Sequence, residues 1–419
     1  MSQQENSFLK KPVFSPELNL LLDCCKLKLG AGSDSISDLV INRQTDWKTF
    51  LELTGKHRIY PLVNKALLAH EGIFPEEVKS EISRKSSRNL KLMMKLAGEL
   101  LKLHTLFQEA GIDFISYKGP LMVHQIFGDF SDRQTRDIDI LITENNLEKA
   151  IGILTKAGFK LIDEYFSDDA QNRNLYLLRE NHLRFTFPEQ HIILELHWAL
   201  SKYFTRFDTQ KIFEQAVTAE FMGKSFKTMP LHLQFVFLCT HGIYHQYDSL
   251  FWLFDIAWII KNKNPGFNAV LKEAEALKCR QAVVSSVFLA QYFFGISLPE
   301  SCPKMNRQER FLFDQCIKKI TSENSVSSHG KAKNLFSILN QRVQWLKYQM
   351  LMTSDNQSRK RILFLKMIKP YVWHKTDKIP SNKIAYLLMT QVKWLLMLLK
   401  GKITVDGVIK TQKSRKVKE

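Results

Sequence analysis

One stretch restricts the fold more than any other. From Ile115 to Thr143 the chain reads ISYKGPLMVHQIFGDFSDRQTRDIDILIT, and its last third sets Asp137 and Asp139 in alternation with Ile138, Ile140 and Ile142. Successive side chains of a strand point to opposite faces, so this pattern predicts a strand with both carboxylates on one face and the isoleucines buried on the other. Two carboxylates fixed side by side repel unless a cation or a proton lies between them. Hard divalent ions such as Mg²⁺ take oxygen ligands of this kind and keep substrate phosphate oxygens in their shell.

The surrounding text supplies a frame. Residues 1–15 are polar and expected to be loosely ordered. Residues 16–110 read as an N-terminal helical region, with Asp46 before Trp47 as an N-cap and a long helix from about Pro75 to Ala110. Residues 111–200 then alternate strands with short helices. Strands are expected at 112–117, 138–142, 159–162, 183–187 and 192–198, helices at 120–127 and 147–157, and a turn at SDDAQNRN. Helical spacing returns from about Ser201 and runs through 201–321. Residues 322–333 (SENSVSSHGKAK, starting at Ser322) read as a linker, 334–400 as a basic, aromatic helical region, and 401–419 as a basic tail. The expectation is an α+β fold, with a small mixed β-sheet core inserted between N-terminal helices and a larger C-terminal helical region.

Composition narrows the partners without choosing one. The 419 residues are 45% hydrophobic, enough for a sizeable core, and carry 60 Lys plus Arg against 42 Asp plus Glu, a formal net charge of +18. That excess favours polyanions: nucleotides, nucleic acid or an anionic membrane surface. Six scattered cysteines with no CxxC spacing fit reduced thiols in a cytoplasmic protein. The N-terminus lacks the apolar core of a secretory signal. The most apolar late segment, Ile384 to Leu399, contains Lys393 and is short for a membrane span, so no transmembrane segment is expected.

A third acid stands later, in Ile192-Ile193-Leu194-Glu195-Leu196-His197-Trp198, where alternation puts Ile193, Glu195 and His197 on one face. The ordered set Tyr117-Lys118-Gly119, Arg133, Arg136, Asp137-Ile138-Asp139 and Glu195-Leu196-His197-Trp198 resembles the uncharacterised nucleotidyltransferase family of the polymerase-beta-type superfamily. His57-Arg58, Pro61-Leu62, His241, His245, Leu253 and Asp255-Ile256-Ala257 extend the resemblance over roughly residues 15–300. The resemblance implies a nucleotidyltransferase core in which Asp137, Asp139 and Glu195 are catalytic and hold Mg²⁺, with a nucleoside triphosphate as substrate. Lys118-Gly119 would seat phosphate at a helix start, and Arg133 and Arg136 can make forked contacts to phosphate oxygens. His197 lies on the same face as Glu195 and is counted with the substrate-binding residues. The usual Gly-Ser of the superfamily is Lys118-Gly119-Pro120 here, so the phosphate loses a serine hydroxyl and gains a point charge.

Each residue also has a plainer reading. Glu195 could lie on an exposed edge strand, Lys118-Gly119 could be only a turn, Arg133 and Arg136 could pair with Asp129 or Asp132, and His197, His241 and His245 could be structural. The expected activity is Mg²⁺-dependent transfer of a nucleoside monophosphate from an NTP to an acceptor hydroxyl. The acceptor is open: small molecule, peptide, glycan or nucleic acid. The alternative is a catalytically inactive scaffold of the same fold. It would dock on nucleic acid or an anionic membrane through Trp345, Tyr348, Tyr371, Trp373, Trp394 and a peripheral helix at Ile384 to Leu399.

Overall fold

The computed structural model describes residues 14–30, 45–70, 72–163, 166, 173, 176, 177, 180–187, 192–201, 205, 207–322 and 335–368. Four helices come first: α1 (Pro16–Lys28), α2 (Trp47–Lys56), α3 (Tyr60–Ala69) and the 34-residue α4 (Glu76–Glu109). Asp46 caps α2 as its sequence position predicts, its carboxylate accepting the Lys48 and Thr49 amides and so satisfying two of the donors a helix start leaves orphaned.

Next come β1 (Ile115–Ser116), α5 (Gly119–Phe127), β2 (Asp137–Leu141), α6 (Leu147–Lys156), β3 (Lys160–Leu161), β4 (His182–Phe187), β5 (Ile192–His197) and α7 (Thr209–Glu214). A hairpin of β6 (Val217–Phe221) and β7 (Lys224–Thr228) follows. The seven strands form one sheet in the order β3-β4-β5-β2-β1-β7-β6. The sheet is mixed, because β2 runs parallel to β5 and β1 parallel to β7, while the remaining neighbours are antiparallel. Both aspartates therefore sit on a central strand, flanked by β1 and β5.

The hairpin corrects the expectation that helices return directly after residue 200. Its physical signal is thin: Phe221 and Phe226 are its fully buried aromatics, while Val217, Thr218, Glu220, Ser225 and Lys227 are exposed. The two-residue turn uses Met222 (φ 48°) and Gly223 (φ 79°), both in the left-handed region that matches the twist of a tight hairpin. β1 is also shorter than the strand read over 112–117, since its pairing reaches only Ile115 and Ser116 against β2.

Helices α8 (Leu231–Tyr244), α9 (Leu250–Asn262), α10 (Phe267–Ala276), α11 (Arg280–Phe294) and α12 (Arg307–Thr321) form the larger helical region. They are followed by α13 (Leu335–Leu351) and α14 (Asn356–Ile368). Several hydrogen bonds fasten these helices to the sheet side. Gln234 Nε2 donates to the Tyr117 carbonyl at 2.6 Å and Trp258 Nε1 to the Ile126 carbonyl at 2.9 Å. His57, on the turn between α2 and α3, accepts the Leu250 amide on Nδ1 at 3.3 Å. Hydrophobic burial is continuous from Leu18 through Ile138, Ile140, Leu194 and Leu196 to Phe293 and Tyr348, so one core underlies all of these elements.

Trp345 stacks on Tyr348 at 5.5 Å, and the Tyr348 hydroxyl donates to the Ile243 carbonyl, so the start of the C-terminal aromatic region is packed as core. The expected loose N-terminus up to 13, most of the SDDAQNRN turn and of the linker, the Ile384–Leu399 segment with Tyr371, Trp373 and Trp394, and the basic tail lie outside the described residues. All six cysteines are free thiols; five are buried and Cys302 is half-buried. Among the described residues, no helix is long and apolar enough to cross a membrane.

Candidate active site at the centre of the sheet

The register of two parallel strands builds the site. Asp139 of β2 stands opposite Glu195 of β5, with Asp137 opposite Ile193 two residues earlier. Alternation then places Asp137, Asp139, Glu195 and His197 on one face, while Ile138, Ile140, Leu194 and Leu196 bury the other. Glu195 is on an interior strand between β4 and β2, not at an edge.

His197 Nε2 lies 3.4 Å from Asp139 Oδ1 and 3.3 Å from Glu195 Oε2. Both of its ring nitrogens are buried, and among the described residues neither has a partner in hydrogen-bond geometry. Lys118 Nζ approaches the same oxygen, Asp139 Oδ1, at 3.6 Å. Ligand atoms of Asp139, Glu195 and His197 all lie within 4.8 Å of one another; among the described residues this is the one group of acids, histidines and cysteines so arranged. Asp137, half-buried, stands beside that group.

These neighbours drive the ionisation of the two aspartates apart. Burial, together with the charge on Asp139 and then on Glu195, pushes Asp137 up to about 6 against the pull of Lys118. Burial would raise Asp139 too, but Lys118 and then His197 outweigh it and hold that carboxyl well below the usual range. Glu195 is also lowered, burial being overcome by His197. His197 is raised in turn: burial disfavours the imidazolium, and Asp139 and Glu195 together more than compensate.

The Lys118-Gly119 turn presses α5 against the acidic strand. Gly119 adopts φ +68°, and a Cβ there would come 3.2 Å from the Asp137 carbonyl oxygen, so the backbone conformation and the close approach both call for glycine. Lys118 lies in extended geometry just before the helix, and its ammonium is 5.3 Å from the centre of the Phe237 ring.

The two arginines part company. Arg133 is buried and forks onto Asp255 of α9, with Nε to Oδ1 at 2.8 Å and Nη2 to Oδ2 at 2.8 Å; its Nη1 donates to Thr135 at 3.1 Å. Its fork is occupied by a partner more than a hundred residues away, not by Asp129 or Asp132. Those two acids are instead paired by Lys65, which reaches both, and by Lys28, 3.0 Å from Asp132. Arg136, directly before β2, is exposed.

His241 and His245 face the site from α8 as a wall of rings. Their centroids are 4.7 Å apart, and each lies 5.1 Å from Trp252. Burial, then the charge of Lys118, lowers both, His245 to about 4, so they stand as neutral imidazoles. One contributor escaped the sequence, His182 of β4, which stacks on His197 at 4.8 Å; Asp255 was singled out there, but not as the anchor of Arg133. The polar alternation of His182, Arg184 and Thr186 was the available signal for His182.

No curated protein and no solved structure matches this chain. The sequence profile described as "Uncharacterised nucleotidyltransferase" matches residues 43–295, more than half of the chain, and spans α2 to α11 together with the whole sheet. The chain belongs to this uncharacterised nucleotidyltransferase family.

Proposed function

We propose that the protein is a divalent-metal-dependent nucleotidyltransferase, moving a nucleoside monophosphate from an NTP to an acceptor hydroxyl and releasing pyrophosphate. The observation that carries this reading is the Asp139–Glu195 register, with His197 and Lys118 flanking it. The donor set fits a metal. Two carboxylates lie within reach of one point, Asp137 stands beside them, and the buried His197 nitrogens lack hydrogen-bond partners among the described residues. Asp137, Asp139 and Glu195 would hold Mg²⁺ through oxygen, and the nearby imidazole would also admit metals that accept nitrogen. When bound, such an ion neutralises triphosphate charge and lowers the pKa of a coordinated hydroxyl.

The remaining work falls to the chain. Glu195, held low by His197, is read as a metal ligand rather than a base. His197 keeps the two acids in position. Lys118 contributes a positive charge beside the phosphate, and the first amides of α5 point a helix N-terminus at it. Arg136, exposed directly before β2, is read as a partner for the outer phosphates.

The test is pyrophosphate release from each of the four NTPs with Mg²⁺, Mn²⁺ or Zn²⁺ and a small-molecule extract as acceptor pool. Asp139→Asn and Glu195→Gln should each lower release about 10³-fold, the several kcal/mol that a positioned metal contributes. Undiminished release in both variants removes the site assignment.

A further inference from the structure

Arg58 is an unusual residue at the rim of the site. It follows His57 on the turn between α2 and α3 and adopts φ +55°, a left-handed conformation that a long side chain rarely takes. The turn is fixed there. The Ser249 hydroxyl donates to the Lys56 carbonyl, the Leu250 amide to His57 Nδ1, and the Phe251 amide to the His57 carbonyl. Those bonds dock the strained backbone against the start of α9.

Among the described residues, the guanidinium that results has no hydrogen-bonding or ionic partner; it lies over the Phe251 ring at 5.6 Å, and Arg133 occupies that same ring at 4.9 Å. The charges acting most strongly on it are Arg136, then Asp137 and Asp248, then Arg133. Arg136 is itself exposed and unpaired. Arg58 shares the Phe251 ring with Arg133, three residues before Arg136, so two arginines whose forks find no partner among the described residues lie about the start of the acidic strand, while Arg133 is closed by Asp255. A strained turn that carries an unpaired guanidinium beside other arginines is costly to the folded chain, and such strain persists where a ligand repays it.

We propose that Arg58 and Arg136 form a two-arginine clamp for the triphosphate of the nucleotide, with Arg58 in the place that sequence order alone would give to Arg133. The clamp rests on the nucleotidyltransferase reading for its substrate, but it binds polyphosphate without metal. Forked guanidinium contacts suit the adjacent oxygens of β- and γ-phosphates.

The experiment measures inorganic tripolyphosphate and inorganic phosphate binding in EDTA by calorimetry, with thermal unfolding alongside. The variants are Arg58→Asn, which tolerates the left-handed backbone, Arg58→Lys, Arg136→Gln, and Asp139→Asn. Wild type should bind tripolyphosphate well above inorganic phosphate. Arg58→Asn and Arg136→Gln should each weaken tripolyphosphate binding about 10-fold or more, the scale of losing a charged hydrogen-bonded contact. Arg58→Lys should recover only part of it. Without ligand, Arg58→Asn should melt at or above the wild-type temperature, an outcome that a merely structural arginine would reverse. Asp139→Asn should keep tripolyphosphate binding even where it abolishes transfer, which separates failure of the clamp from failure of the catalytic reading. Wild-type affinity for tripolyphosphate in Arg58→Asn, or equal affinity for phosphate and tripolyphosphate, would overturn the proposal.

Discussion

Asp255 and Asp139 are almost equally buried, 1% and 2% exposed, yet the protein treats the two carboxylates differently. Asp255 receives a forked arginine at 2.8–3.0 Å, with every contact at full hydrogen-bond length. Asp139 is approached by Lys118 at 3.6 Å and His197 at 3.4 Å, both beyond good hydrogen-bonding distance. The first pair closes on itself and ties α9 to the loop before β2. The second leaves lone pairs aimed into a shared space with Glu195. A buried acid that is fully paired is part of the frame, whereas one whose cations stand just short of contact has room for something else.

The comparison is broken or sharpened by substitution. Arg133→Ala strands Asp255 as an unpaired buried charge and should cost about 3–5 kcal/mol in urea unfolding. Gly119→Ala puts a Cβ 3.2 Å from the Asp137 carbonyl in a left-handed conformation and should cost about 1–2 kcal/mol, visible as a lower unfolding midpoint. Asp139→Asn should cost less metal-free stability than Arg133→Ala, because it breaks two loose ion pairs but relieves the repulsion that raises Asp137 and strands no forked arginine. A loss as large as that of Arg133→Ala would erase the distinction between the two sites.

The smallest effect concerns pH. His197 has a raised pKa in the folded protein, so its contribution to metal-free stability is complete below the unfolded value of about 6.5 and is lost as pH rises through the folded value. Asp139 and Glu195 are lowered, so their share persists above the unfolded carboxylate range. The stability gap between wild type and His197→Gln should therefore be widest between about pH 4.5 and 6.5 and should shrink above it. A gap that failed to shrink as pH rose above about 6.5 would remove the His197 ion pairs from the account.

Legibility in the sequence followed the reach of each interaction. Alternation of Asp137, Ile138, Asp139 and Ile140 displayed β2 and its acidic face, and Ile192–His197 did the same for β5, because period two is a local property. The Asp46 cap was likewise local. The β6–β7 hairpin was not legible, since its buried content is carried by few side chains and most of its residues are polar. The fates of the arginines were not legible either. Arg133 is one residue from Asp132 and four from Asp129 along the chain, and nothing local marks Asp255 as its partner; only the docking of α9 brings Asp255 to it.

What the sequence by itself determined was therefore the acidic face of two strands, the glycine turn before α5, and the α+β order of elements, all set by spacing along the chain. What the tertiary structure decided was which strand lies beside which, so that Asp139 meets Glu195 and His197. It also decided which guanidinium is closed by a carboxylate and which stays free. Those outcomes depend on contacts between residues far apart in sequence, where burial and hydrogen bonding of whole elements select one pairing from several of similar local merit.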